Sequence, residues 1–335
     1  MPFMKSKLLR TIATSGTTKT PNPKSASRYL LAAGKIILSL VIISSIPASY
    51  AAEQTAAKES ELVVLTPGKV GTPNKIYPSA KAPELTVATY NIAAVRVGTI
   101  DAVARAIKAL NADIIALSEV DKNTRRSGDV NQLEQLKKLT GMYGVFGKTI
   151  DFEGGEYGIA VLSRYPITRH EALPLPSPKV EQRIMLATEV QKPGFSSPIV
   201  FIASHLDWQE DPAIRMQQMY AINDFAAGNI TSSFPNIETS IKILAGDFND
   251  VSGSPVMQGF QRYWQSLMPS EFDARTWPAI NPAAAIDHIL TFKGQRWETT
   301  EILLPTGKQQ QLKGINWPAV SDHLPLVMRL KLLEQ

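Results

Sequence analysis

Five apolar runs, each about the length of one strand, adjoin polar motifs that a buried strand cannot use. TVATYN closes on Tyr90-Asn91, DIIALSE on Ser118-Glu119, IVFIASHLD on Ser204-His205-Leu206-Asp207 and IKILAGDFN on Gly246-Asp247-Phe248-Asn249; Ser321-Asp322-His323 leads into HLPLVMRL. Runs of this length, bounded by turn residues, predict strands covered on both faces. Their polar ends constrain function as well, because burying a carboxylate or an imidazole costs free energy unless something binds it. Three of the four histidines, His205, His288 and His323, fall in or beside these motifs, and His170 stands apart as a surface residue.

Between the runs the pattern alternates. Strands are predicted at Leu85-Tyr90, Asp113-Leu117, Gly144-Lys148, Gly158-Ser163, Ile184-Val190, Pro198-Ser204, Ile241-Leu244, Ile286-Thr291, Trp297-Leu303 and Leu324-Leu332. Helical spacing covers Ile100-Leu110, with Asp101 early where the helix dipole favours it, and Asn131-Leu139, closed by Gly141. A longer helix is expected from Asp211 to Ala227, with Asp211 as cap and Pro212 in the first turn. Several strands follow one another without a helix between them. That argues against a doubly wound sheet and for an α/β sandwich of two mixed sheets flanked by helices.

The N-terminus reads differently. Residues 1–51 contain seven lysines and arginines and no acid, followed by the apolar stretch Ile36 to Ile46 and the small residues Ser49 and Ala51. This is the pattern of a secretory signal cut after Ala51, and the apolar stretch is shorter than the roughly 20 residues a membrane span needs. The chain is therefore expected to be exported, to a periplasm or outside the cell. Residues 52–83, with Pro67, Pro73, Pro78 and Pro83, read as an extended linker, and residues 84–335 as the catalytic domain. Cleavage would leave 28 basic against 30 acidic residues, so the basic excess of the whole chain belongs to the signal. A global footprint for nucleic acid is then missing. No cysteine is present, which excludes disulfides, thiolate-bound zinc and thiol nucleophiles.

Residues two apart on a strand share a face, which pairs Asp247 with Asn249 and His205 with Asp207. If the strand ends converge, the cleft between them holds Asn91, Glu119, His205, Asp247, Asn249, Asp287, Asp322 and His323. Oxygen donors with few nitrogens and no sulfur suit a hard cation, magnesium or, alternatively, manganese, and thus a phosphate-bearing substrate.

Asn91, Ser118-Glu119, the stretch GIAVLSRYP from Gly158 to Pro166, His205, GDFN, Asp287 and Ser321-Asp322-His323 resemble, in this order, the endonuclease/exonuclease/phosphatase superfamily. The resemblance spans about Glu84 to Leu332. It implies a four-layer α-β-β-α sandwich and metal-dependent phosphoester hydrolysis. Carried over by position, it implies Glu119 as the main metal ligand with Asn91 beside it and Asp322 assisting. Asp247 would activate the attacking water, and Asn249 would hold the phosphate. His323 would contact the phosphate while Asp287 holds its ring, and His205 would donate to a phosphate or leaving oxygen. Arg183 matches a phosphate-facing arginine. One difference is local: Asn91 is followed by Ile92-Ala93-Ala94-Val95, where many members carry His or Gly.

Each residue alone has a plainer reading. Glu119 could pair with Arg125, Gly246-Asp247 could be a turn, His323 could be a core histidine, and His288 should face away from Asp287. Most tryptophans are expected in the core, with Trp208, beside His205, the exception. Three functions compete. The favoured one is an exported phosphodiesterase or phosphatase, expected to be a monomer, for a small or lipid-linked phosphoester, the lipid case bringing contact with a membrane. A secreted endonuclease would use Lys122-Asn123-Thr124-Arg125-Arg126 to follow a polyanion. A silent binding module should have lost one of Glu119, Asp247 or His323.

Overall fold

A computed structural model describes Ile76, residues 81–307 and residues 312–335. The expected signal, residues 1–51, and nearly all of the expected linker, 52–83, lie outside these residues. The linker's end is tied to the domain: Ile76 bridges to Glu334 and the carbonyl of Pro83 accepts from Leu332 N–H.

Two pairs of parallel strands organise everything else. In the first half, β1 (Glu84–Asn91) runs into α1 (Ile100–Leu110) and returns as β2 (Ile114–Lys122). In the second, β7 (Ile199–His205) passes through α3 (Ala213–Ala226) to β8 (Ile241–Asp247). The other elements are α2 (Gln132–Thr140), β3 (Tyr143–Phe152), β4 (Gly155–Ser163), β5 (Ile167–Leu175), β6 (Arg183–Val190), α4 (Pro255–Phe260), β9 (Trp264–Gln265), β10 (Asp287–Phe292), β11 (Arg296–Leu303) and β12 (Leu326–Glu334). Each parallel pair is extended by antiparallel neighbours, giving one sheet in the order β11-β12-β1-β2-β4-β3 and another in the order β5-β6-β7-β8-β10-β9. This is the expected sandwich of two mixed sheets.

Alternation along the strands explains why the runs are continuously apolar. On β7 and β8, Phe201, Ala203, Ile243 and Ala245 join the core that also contains the first sheet and α1. Their neighbours Val200, Ile202 and Leu244 pack with Met219, Ile222 and Phe225 of α3 and Val256 and Phe260 of α4. With both faces covered, most positions on either side of β7 and β8 are apolar until the strands reach their carboxyl ends.

The helix boundaries follow local chemistry. Thr99 Oγ1 accepts from Ala102 N–H to start α1, Asn131 Oδ1 accepts from Glu134 N–H to start α2, and Gly141 ends α2 at φ 75°. At α3 the expectation shifts by one place. Pro212 occupies the cap position, and Asp211 reaches past it to accept from Ala213 N–H at 2.9 Å. Two strands and one short helix were not expected. β5 carries the exposed Thr168, Arg169 and His170 on an edge, and α4 starts at Ser254-Pro255 inside a polar stretch. Among the described residues no helix is long and apolar enough to cross a membrane.

Candidate functional site

In open α/β sheets the carboxyl ends of parallel strands leave room for ligands. Here β1, β7 and β8 end, and β2 breaks, around one cleft. Asn91 is the last residue of β1, and its amide nitrogen donates to Glu119 Oε1 and to Asp247 Oδ2, each at 3.0 Å. One neutral side chain thus ties a carboxylate of each sheet together. It is fixed from behind, since its Oδ1 accepts from Ala93 N–H at 3.0 Å and its carbonyl accepts from Ser321 Oγ at 2.7 Å.

Glu119 reaches the cleft through a break in β2. Leu117 pairs with Ala160 but Val120 pairs with Gly158, so Ser118 and Glu119 together face one residue of β4. Such a bulge re-aims a side chain, and Glu119 adopts φ 55° within it. A non-glycine residue held there costs on the order of 1 kcal/mol or more.

Asp247 is the meeting point. Its Oδ2 lies 3.0 Å from Asn91 Nδ2, 3.6 Å from His205 Nε2 and 3.7 Å from His323 Nε2, and the residue is fully buried. The two imidazole distances exceed a hydrogen bond. Both rings therefore present a nitrogen to the same small region. His323 is oriented from its other side, where Nδ1 meets Asp287 Oδ2 at 2.8 Å, and Trp277 packs beside it with ring centroids 6.4 Å apart. Asp287 stands directly opposite Asp247 in the β8–β10 pairing.

Residues 88–323 match the endonuclease/exonuclease/phosphatase family. The chain belongs to that family. The Escherichia coli (strain K12) protein YbhP is 26% identical over 239 residues, covering 68% of this chain and 86% of its own. A conserved Enterococcus faecalis V583 protein shares the fold with a TM-score of 0.58 at 22% identity, covering 74% of this chain and all of its own. A mannosyl-6-phosphatase of Bacteroides thetaiotaomicron does so at 0.53 and 17%, covering 73% of this chain and 99% of its own. Members of this family are in general phosphoester hydrolases.

The other family positions take varied places. Asn249 does not continue β8 on the face of Asp247, because the strand ends at Asp247 and Asn249 turns back at φ 50°. Its N–H donates to Asp247 Oδ1 and its side chain to the carbonyl of Leu206, each at 3.0 Å. The half-buried Asp322 follows Ser321, and its carbonyl accepts from Ala279 N–H. Burial pushes the Tyr90 hydroxyl well above its ordinary range, and the charges of Asp322 and Asp287 push it further. Arg183 is only 2% exposed and lies 3.3 Å from Glu181. Burial raises the Glu181 carboxyl, against the opposing effect of Arg183. Asp207 is buried and accepts from Gln209 N–H. His288 faces away as expected: its Nε2 meets the carbonyl of Asp250 at 2.8 Å, its ring lies beside Phe248, and burial lowers its pKa.

Arg96, which no sequence motif marks, lies 2.8 Å from Glu119 Oε2. The partner expected for Glu119 in the plain reading, Arg125, is exposed instead. Trp208 is half-buried, while Trp264, Trp277, Trp297 and Trp317 are buried.

The donor set fits a divalent cation. Glu119 and Asp247 are buried carboxylates joined by a neutral amide, so the cleft concentrates negative charge that a hard cation would offset. One ligand atom each from Asp247, Asp287 and His323 also lie within 4.8 Å of one another. In that trio the shared edge of Asp287 and His323 is already closed by their own bond.

Proposed function

We propose that this chain is an exported, divalent-metal-dependent phosphoesterase that hydrolyses a small or lipid-linked phosphoester. The observation that carries the reading is the convergence of His205 and His323 on Asp247 Oδ2, with Asn91 tying that carboxylate to Glu119. Magnesium, or manganese, would be held by Glu119, with Asn91 and Asp322 assisting, and would polarise the phosphoryl oxygens. The remaining work falls to the chain's own residues. Asp247 takes the proton of the water whose oxygen bonds to phosphorus, and the ester P–O bond breaks on the far side. His323, steadied by Asp287, donates to a phosphoryl oxygen as charge builds there, and His205 donates to a phosphoryl or leaving oxygen. Asn249 and Arg183 complete the hold on the phosphate.

A small or lipid-linked substrate is favoured over nucleic acid because the one basic run near the cleft is largely committed elsewhere. Lys122 pairs with Glu156 at 2.7 Å, and Arg126 pairs with Asp121 at 2.8 Å while lying over the Phe152 ring. The likeness to a mannosyl-6-phosphatase adds weight to small phosphoesters. Export rests on the basic and apolar composition of residues 1–51.

The purified protein should hydrolyse a chromogenic phosphoester with magnesium or manganese, and both chelation and Glu119→Gln should abolish the activity. Undiminished turnover in chelator would defeat the cation assignment. Sugar phosphates and phospholipids run beside plasmid DNA separate the substrate classes; steeply salt-dependent plasmid nicking alone would favour the endonuclease. Appearance of the protein in the exported fraction with Ala52 at its N-terminus would support the signal.

A further inference from the structure

Glu119 is gripped on both oxygens. Asn91 Nδ2 donates to Oε1 at 3.0 Å, and Arg96 Nη2 donates to Oε2 at 2.8 Å. The two partners differ in kind. Asn91 is buried and neutral, whereas Arg96 is charged and its side chain is 42% exposed, against 8% for Glu119. A long, exposed side chain can swing away from the carboxylate, and an enclosed amide cannot. Arg96 also has a fixed point to return to, because its Nε donates to the carbonyl of Ala93 at 2.9 Å. That carbonyl is set by a left-handed turn in which Ala93, Ala94 and Val95 hold φ 51°, 51° and 58°.

A guanidinium carries five N–H donors in a planar fork that suits phosphate as well as carboxylate. Two are engaged by Glu119 and Ala93. A divalent cation and a guanidinium on one carboxylate repel each other, while a phosphate attracts both.

We propose that Arg96 is a positioning residue that couples cation binding to substrate binding. It covers Glu119 Oε2 while the cleft lacks a phosphoester, and turns to the phosphate when one arrives, which frees that oxygen for the cation. The inference rests on Glu119 being the cation's carboxylate. Linkage then requires phosphate to tighten the cation and the cation to tighten phosphate by the same factor.

The test is manganese binding to the full chain, followed by the electron spin resonance of free manganese, with and without inorganic phosphate. Without phosphate, Arg96→Gln should bind manganese at least about fivefold more tightly than the unaltered chain, the low end of usual couplings. Arg96→Lys, which keeps the charge and loses the fork, should fall between them. Phosphate should tighten the unaltered chain more than Arg96→Gln. Equal or weaker binding by Arg96→Gln overturns the inference and makes Arg96 a simple support for Glu119. If no chain binds manganese under either condition, the cation assignment falls and takes this inference with it. Thermal unfolding of both variants separates a local effect from loss of the fold.

Discussion

Asp247 and Asp287 are adjacent buried carboxylates on paired strands, yet their neighbours give them different work. Asp247 Oδ2 faces two imidazole nitrogens at distances longer than a hydrogen bond, whereas Asp287 Oδ2 closes directly on His323 Nδ1. In the proposed reaction the first acts on a reactant and the second holds a ring. Asp247→Asn should therefore lower kcat by about two to four powers of ten, the usual worth of a positioned acid or base. Asp287→Asn should cost roughly 10- to 100-fold, as expected for a carboxylate that orients a histidine. The loss should appear in kcat with KM little changed, accompanied by loss of the low-field proton resonance of the Asp287–His323 bond. A kcat within twofold of the unaltered chain would show that the ring needs no such support.

The elements bring these side chains together through close backbone contacts. A Cβ on Gly246 would lie 1.8 Å from the carbonyl oxygen of Ser204, and one on Gly158 would lie 2.0 Å from that of Gly147. Gly246 adjoins Asp247 on β8 and Gly158 faces Val120 beside the bulge of β2, and in both cases the obstacle is backbone, which cannot rotate aside. Gly246→Ala should destabilise the domain by about 1–3 kcal/mol or more, the usual result of overpacking; a urea unfolding midpoint equal to that of the unaltered chain would rule this out. Much of this was legible beforehand. Apolar runs that close on Asn91, Glu119, Asp247 and beside His323 announced both the strands and the polar convergence, because a two-faced buried strand has no other use for them. The bulge at Ser118-Glu119 was not legible, since it depends on the register with β4. Nor was Arg96, which reaches Glu119 only because Ala93, Ala94 and Val95 turn left-handed, a conformation those residue types disfavour. β5 was not legible either, because an edge strand with Thr168, Arg169 and His170 exposed carries no apolar period.

At the scale of the whole molecule, the fold also buries a lysine, at the end of β8 away from Asp247. Lys242, at the start of β8, is fully buried, its Nζ donating to the carbonyls of Ile237 and Glu238 and lying 3.8 Å from the centre of the Phe292 ring. Burial brings its pKa down to about 7, against the opposing pull of Glu238. In the unfolded chain the same lysine keeps its ordinary value near 10.4. Between these values the unfolded chain binds the extra proton, so the stability of the folded domain rises with pH through this window. Below about 7 both states are protonated and the dependence stops. Lys242→Met removes the titration and leaves the two carbonyls without that donor, which adds an offset independent of pH. The difference in urea unfolding midpoint between the unaltered chain and Lys242→Met should therefore change steadily from pH 7 to pH 10, the unaltered chain gaining throughout. A constant difference across that range would mean that Lys242 stays charged inside the fold, held by its carbonyls and the ring of Phe292.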